Sequence, residues 1–281
     1  MGANSKSPSI WGRIQPIHVF GFALGYLALA WLVSYYGDAH NFLSLQERLI
    51  NRGRERPFMW YFLFMEGSPT EMLQWAYLAG TVVLCGYLSG QLRAKKYFPP
   101  SRFFLLLGVG TSIMLMEDAG NLRHQIKYYV RLIFGDTMIL GMGTEIVFYL
   151  LLASLLLYAF VKYWRYPWQS WQTRYYMIGG CLFYAVAAIA SATRHFRDWY
   201  DHAGEWILKV LGLSETVNAL FIPYSGGRDA GFYIMDFLVE ESIELMGASA
   251  LCAAILAYLR EFQKTPGVAV VKGSKTGKTG K

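Results

Sequence analysis

The sequence predicts an all-α membrane protein, a bundle of about six transmembrane helices with interfacial helices in its outer loops. Six apolar stretches are long enough to cross the roughly 30 Å hydrocarbon layer of a bilayer. The composition is 54% hydrophobic and only 16% charged, where a soluble domain carries about 25% charge. Aromatic residues make up 17%. Runs such as Trp60-Tyr61-Phe62 and Trp164-Arg165-Tyr166-Pro167-Trp168 have the character of interfacial belts.

The expected spans are 17–36, 72–92, 103–119, 137–164, 175–193 and 232–259. Gly108 with Ser112, and Ser249 with Ala253 and Ala257, place small residues four apart, a spacing that lets helix backbones approach closely. One transmembrane bundle domain is expected over 1–263, followed by a flexible basic tail over 264–281 rich in Gly, Lys, Thr and Ser. No cleavable signal is expected, because the first apolar run is long and no cleavage site follows it.

Of the 26 Lys and Arg, the larger share falls in the short segments on the N-terminal side of the first span and on the same side of the others. Arg93-Ala94-Lys95-Lys96 is the strongest single marker. The positive-inside rule then puts both termini in the cytoplasm of a multi-pass inner-membrane protein. The net charge of +7 is spread between apolar stretches and gathered in the tail. It therefore suits a lipid bilayer surface as partner and not nucleic acid. Two outer loops are long. The first holds Arg48 to Arg56 and the aromatic run 58–64; the second holds Trp206 to Leu211, which reads as a helix on the membrane surface. Cys85, Cys181 and Cys252 are scattered in apolar runs and read as packing residues.

Ionisable residues inside a span cost about 2.5–3.5 kcal/mol each on an insertion scale, and they mark functional sites by default. Here they gather at one end of four spans. The third closes on Glu117 and Asp118, with His124 beyond; a continuous helix would align Glu117, Asn121, His124 and Tyr128 on one stripe. The fourth meets Glu145 two turns in. The fifth leaves as Arg194-His195-Phe196-Arg197-Asp198, and His195, Asp198 and His202 would share one helical face. The sixth carries Asp236, Glu240, Glu241 and Glu244, of which Asp236, Glu240 and Glu244 are spaced by four. In the topology above all of these face outward from the cytoplasm.

Three readings of this set compete. Carboxylates with one or two imidazoles suit a divalent transition metal such as Fe, Mn or Zn, with Glu117, Asp118, His124, Glu145, His195, Asp198, His202, Glu240, Glu241 and Glu244 as the candidate ligands. The paired Glu-x-x-His signature of ferritin-like di-iron sites is absent. An acidic stripe such as Glu240 and Glu244 suits a proton or cation path, although the opposite halves of the spans hold almost no ionisable groups. The third reading is a structural ion-pair network using Arg123, Arg194 and Arg197, in a non-catalytic subunit or scaffold of a larger membrane complex. Arg194–Asp198 and Arg197–Asp201 are spaced as i,i+4 pairs on one helix. No nucleotide-binding, GxSxG or HExxH pattern is present, and no cofactor-binding or catalytic residue stands out.

The final stretch, Val239-Glu240-Glu241-Ser242-Ile243-Glu244-Leu245-Met246-Gly247, resembles the last helix of a group of uncharacterised bacterial multi-pass membrane proteins with an EExxExxG pattern. That group also closes one span with LDE…HE. Here Glu117-Asp118 stands for Asp-Glu, His124 comes one residue later, and Gln125 stands where that pattern has Glu. The resemblance implies a bundle of six to seven spans and no particular activity.

Overall fold

The computed structural model describes residues 14–53, 58–135, 137–194, 198–222 and 229–264. Among them every regular element is helical, and six segments are long and apolar enough to cross a membrane: Pro16–Ala39, Met59–Ala94, Phe98–Gly120, Ile139–Tyr163, Trp171–Thr193 and Gly231–Lys264. The protein is an all-α, multi-pass membrane protein.

In chain order the helices are α1 (Pro16–Ser34), which continues as a π-helical turn over Tyr35–Ala39; α2 (Leu45–Asn51); α3 (Met59–Phe64); α4 (Pro69–Ala94); α5 (Phe98–Gly120); α6 (Leu122–Phe134); α7 (Met138–Tyr163); α8 (Trp171–Thr193); α9 (Trp199–Val210); and α10 (Ser214–Phe221). The last span begins with a single turn at Gly231–Tyr233, widens to a π-helix over Ile234–Val239, and runs on as α11 (Glu240–Lys264). The local signals are ordinary. Prolines open α5, where their missing N–H costs nothing. Thr137 Oγ1 accepts the Leu140 N–H to start α7.

Two helix ends depart from the periodic pattern. Asn121 takes a left-handed conformation (φ 48°, ψ 40°) and separates α5 from α6. Asn tolerates that region better than most residues. Glu117, Asn121, His124 and Tyr128 therefore do not lie on one helical stripe. Asp198 is also left-handed (φ 53°) and precedes α9, so Asp198 and His202 are not a continuation of the α8 face. His195 and Arg197 lie outside the described residues.

The chain forms two compact units. The first comprises the described residues of 14–21, 75–181 and 248–264; the second, those of 22–74 and 182–247. In the first unit, Phe103 and Phe104 are fully buried; Phe104 packs on Tyr258 with ring centroids 4.6 Å apart, and Phe103 on Phe160 at 5.6 Å. Small residues bring the backbones together. A Cβ on Gly180 would meet Leu251 Cδ2 at 2.7 Å, and one on Gly108 would meet Cys85 Cβ at 3.1 Å. The alanine-rich stretch from Ala248 to Leu259 is buried on all sides. A helix apolar around its whole circumference belongs in a bundle interior. By contrast, α7 exposes Ile146, Val147, Leu150, Leu151, Leu157 and Val161, a lipid-facing surface.

In the second unit, Phe58, Trp60, Phe221, Tyr233 and Phe237 form an aromatic cluster; Trp60 and Phe237 stack at 5.8 Å. Asp38, buried in the π-helical turn after α1, accepts the Met59 N–H at 2.5 Å and the Trp60 N–H at 2.9 Å, so it caps α3. Trp31 Nε1 donates to Ser242 Oγ at 2.9 Å. The segment 206–211, expected as a surface helix, falls largely within α9. That helix buries Tyr200, Gly204 and Leu208 and exposes Trp206 and Val210. Gly204 lies against the backbone of Gly231, and a Cβ on Gly231 would meet the Asp201 carbonyl oxygen at 2.5 Å. Gly247, the glycine of the EExxExxG stretch, lies against the Tyr184 ring, where a Cβ would meet Cδ2 at 2.9 Å.

Gly204→Ala is expected to destabilise the protein by about 1–3 kcal/mol, because backbone must move to admit the methyl group. Gly21 and Gly25 have open space at the same point. Gly21→Ala and Gly25→Ala are expected to leave stability unchanged or raise it by up to about 1 kcal/mol. Thermal melts of the three variants in detergent check both halves; equal melting temperatures would contradict the close crossing at Gly204.

Candidate functional site

Two groups of polar side chains join spans to the short helices beside them, one group in each unit. In the first, the break at Asn121 leaves the first N–H groups of α6 without helical acceptors. Glu117 answers this. Its Oε2 accepts the Arg123 backbone N–H at 2.7 Å, and its Oε1 accepts Arg123 Nε at 2.7 Å. The two side chains are 12% and 9% exposed. A carboxylate at a helix start also opposes the positive end of the helix dipole. The Arg123 guanidinium lies 5.2 Å from the centre of the Tyr149 ring on α7. One turn on, Lys127 Nζ donates to Glu145 Oε1 at 2.8 Å. Glu117 and Glu145, two of the expected metal ligands, are thus each bonded to a cation of α6. Asp118 is half-buried and His124 exposed.

The second group stands at the head of the last span. The carboxylates of Asp236, Glu240 and Glu244 each receive a donor from a different segment. Arg194, just past α8, gives Nη1 to Asp236 Oδ1 at 3.1 Å. Tyr200 on α9 donates its hydroxyl to Glu240 Oε2 at 2.7 Å, and Gln74 on α4 gives Nε2 to Glu244 Oε2 at 2.9 Å. The π-helical turns matter here. Residues four apart drift around a helix of 3.6 residues per turn. A wider turn between Asp236 and Glu240 reduces that drift, and single π-helical turns are frequent at functional sites. Glu241 and the other two glutamates are half-buried; Asp198 and His202 are exposed.

Burial, and then the neighbouring Glu240 carboxylate, push the Tyr200 phenol above the usual tyrosine range. Tyr200 therefore stays a hydroxyl donor at any physiological pH.

Among the described residues no three His, Cys, Asp or Glu side chains gather in an arrangement that could hold a metal ion. The expected i,i+4 pair between Arg194 and Asp198 does not form; Arg194 reaches Asp236 instead. The sequence pattern passed over Lys127, Gln74, Tyr200 and Asp38. Arg123, Lys127 and Arg131 form a visible basic stripe at spacing four, but Gln74 and Tyr200 carry no signal beyond being polar groups near apolar runs. No protein-family model, characterised protein or solved structure matches the chain.

Arg123→Met is expected to destabilise strongly, by about 3–5 kcal/mol, because it strands a buried carboxylate. The double variant Arg123→Met/Glu117→Gln keeps an uncharged acceptor for the backbone N–H and is expected to recover most of the loss. Thermal melts in detergent distinguish this from simple additivity, which would mean that the two residues do not interact.

Proposed function

We propose that this protein handles protons, or another small cation, at the acidic stripe Asp236, Glu240 and Glu244 of its last span. The carrying observation is the convergence of Arg194, Tyr200 and Gln74 from three segments on those three carboxylates. A carboxyl group at membrane depth is expensive unless paired or protonated. At Glu117 proton uptake would leave Arg123 as an unneutralised cation. At Glu240 the hydrogen-bond donor is a phenol, so a proton can arrive and leave without breaking a direct salt bridge there. The lysine and arginine distribution supports an inner-membrane location with both termini in the cytoplasm and the stripe toward the other side. The likeness of Glu240, Glu241, Glu244 and Gly247 to a bacterial last-helix pattern supports only a multi-pass bundle.

The test is reconstitution into liposomes loaded with a pH-sensitive dye. A proton gradient should dissipate faster with protein present, and Glu240→Gln and Glu244→Gln should abolish the gain while the variants still elute as folded protein. Unchanged flux in both variants would overturn the reading.

The salt bridges Arg123–Glu117 and Arg194–Asp236 favour a second reading, a non-catalytic subunit whose polar groups are structural. It expects co-purification with other membrane proteins in mild detergent and no proton flux. Isolation as a single species that moves protons would exclude it.

A further inference from the structure

The positions of α6 and α7 point to an interaction surface absent from the six-span description. We infer that α6 lies within the acyl-chain region of the bilayer, inside out, with its cations turned to α7 and its apolar face against lipid. Three residues of α6 spaced by four meet three residues of α7 spaced by four, in antiparallel order. Arg123 lies over the Tyr149 ring, Lys127 bonds to Glu145, and the Lys127 and Arg131 stems lie 3.1 Å and 3.8 Å from where a Cβ on Gly141 would stand. The missing side chain at Gly141 makes room for those stems.

The depth follows from α7. Ile139–Tyr163 is long and apolar enough for one crossing, and α6 lies beside its first three turns through the contacts at Gly141, Glu145 and Tyr149. A helix of 1.5 Å rise per residue covers about 33 Å from Ile139 to Val161, close to the whole hydrocarbon thickness. α6 therefore shares the depth of the end of that crossing.

From Tyr128 onward the outward face has the composition lipid requires, while His124 and Gln125 at the start of the helix are exposed as well. Tyr128, Tyr129, Leu132 and Ile133 are 61%, 57%, 67% and 71% exposed, while Arg123 is buried. A helix on a protein in water shows the reverse, polar outward and apolar inward. The neighbouring turns of α7 add Ile139, Ile146 and Val147, all exposed, so the apolar surface of α6 continues the lipid-facing surface of an established span. Acyl chains are the occupant this continuity selects. The third crossing thus runs on past Gly120, broken at Asn121, with its charge held on an internal seam.

The experiment is nitroxide labelling of Tyr129→Cys, Leu132→Cys and Ile133→Cys, singly, in a Cys181→Ala background reconstituted in phosphatidylcholine vesicles. Cys181 is the exposed native thiol; Cys85 and Cys252 are buried. Collision rates with oxygen and with a water-soluble nickel chelate are compared with Leu150→Cys as the lipid-facing reference and Glu215→Cys as the water-facing one. The expected result is an oxygen preference near that of Leu150→Cys and several-fold above that of Glu215→Cys. Nickel accessibility near that of Glu215→Cys at all three sites would place α6 in water and overturn the inference. Exclusion of both reagents would mean that protein covers the face, and would overturn it as well. Three separate positions keep the test decisive if one variant fails to fold.

Discussion

An ionised group cannot be left alone in hydrocarbon, and the polar architecture of this protein follows from that constraint. Backbone groups satisfy it by forming helices, which bond all their own amides within the span. Side chains satisfy it by finding partners close by. Glu117 takes both the backbone and the side chain of Arg123, and Glu145 takes Lys127. Asp38 spends its two oxygens on backbone N–H groups at the start of α3. Where the helix breaks at Asn121, a carboxylate one turn back covers the exposed amide. The break and the acid therefore belong together: without Glu117 the α6 start would present a bare donor, and without the break Arg123 would be carried round to another face.

The same solvent reverses the usual division of residue types. Between helices in lipid there is no water to expel, so association rests on close packing. Large aliphatics serve the outside, as on α7, and Gly, Ala and Ser serve the inside, as in the stretch from Ala248 to Ala257. Gly204 against Gly231, Gly37 against Met59 and Gly247 against Tyr184 express this in the second unit. The EExxExxG stretch therefore combines two separate requirements on one helix. Glu240 and Glu244 take donors from other segments, and Gly247 admits an aromatic ring.

The six spans were legible because uninterrupted apolar length is a signal that one segment carries by itself. The acidic stripe of the last span was legible for the same reason, since Asp236, Glu240 and Glu244 are spaced by four within one helix. Pairings between segments were not. Gln74 and Glu244, or Asp38 and Trp60, meet only through the tertiary fold. The failures at Asn121 and Asp198 have one physical cause. Periodicity assumes that a helix continues, and a single left-handed residue rotates everything after it. Once the third span is taken to stop near residue 119, Arg123, Lys127 and Arg131 look like loop charges, although their spacing already describes one face of a helix.

The two polar groups differ in what a proton would do to them. Protonating Glu117 or Glu145 removes the partner of a cation held at the same depth, so each proton gained exposes an equal and opposite problem at Arg123 or Lys127. Such pairs suit a fixed seam. Protonating Glu240 leaves a neutral carboxyl group that can still bond the Tyr200 hydroxyl, because a phenol both donates and accepts. Tyr200 itself holds its proton, kept above its ordinary range by burial and by Glu240. A neutral, non-titrating partner beside a carboxyl group lets charge change at that group alone. Asp236, bound to Arg194, stands four residues away on the same stripe and supplies the fixed contrast: one acid paired with a cation, the next bonded to a neutral hydroxyl that keeps its own proton. That asymmetry within a single helix is why the stripe, and not the seam of α6, carries the functional reading.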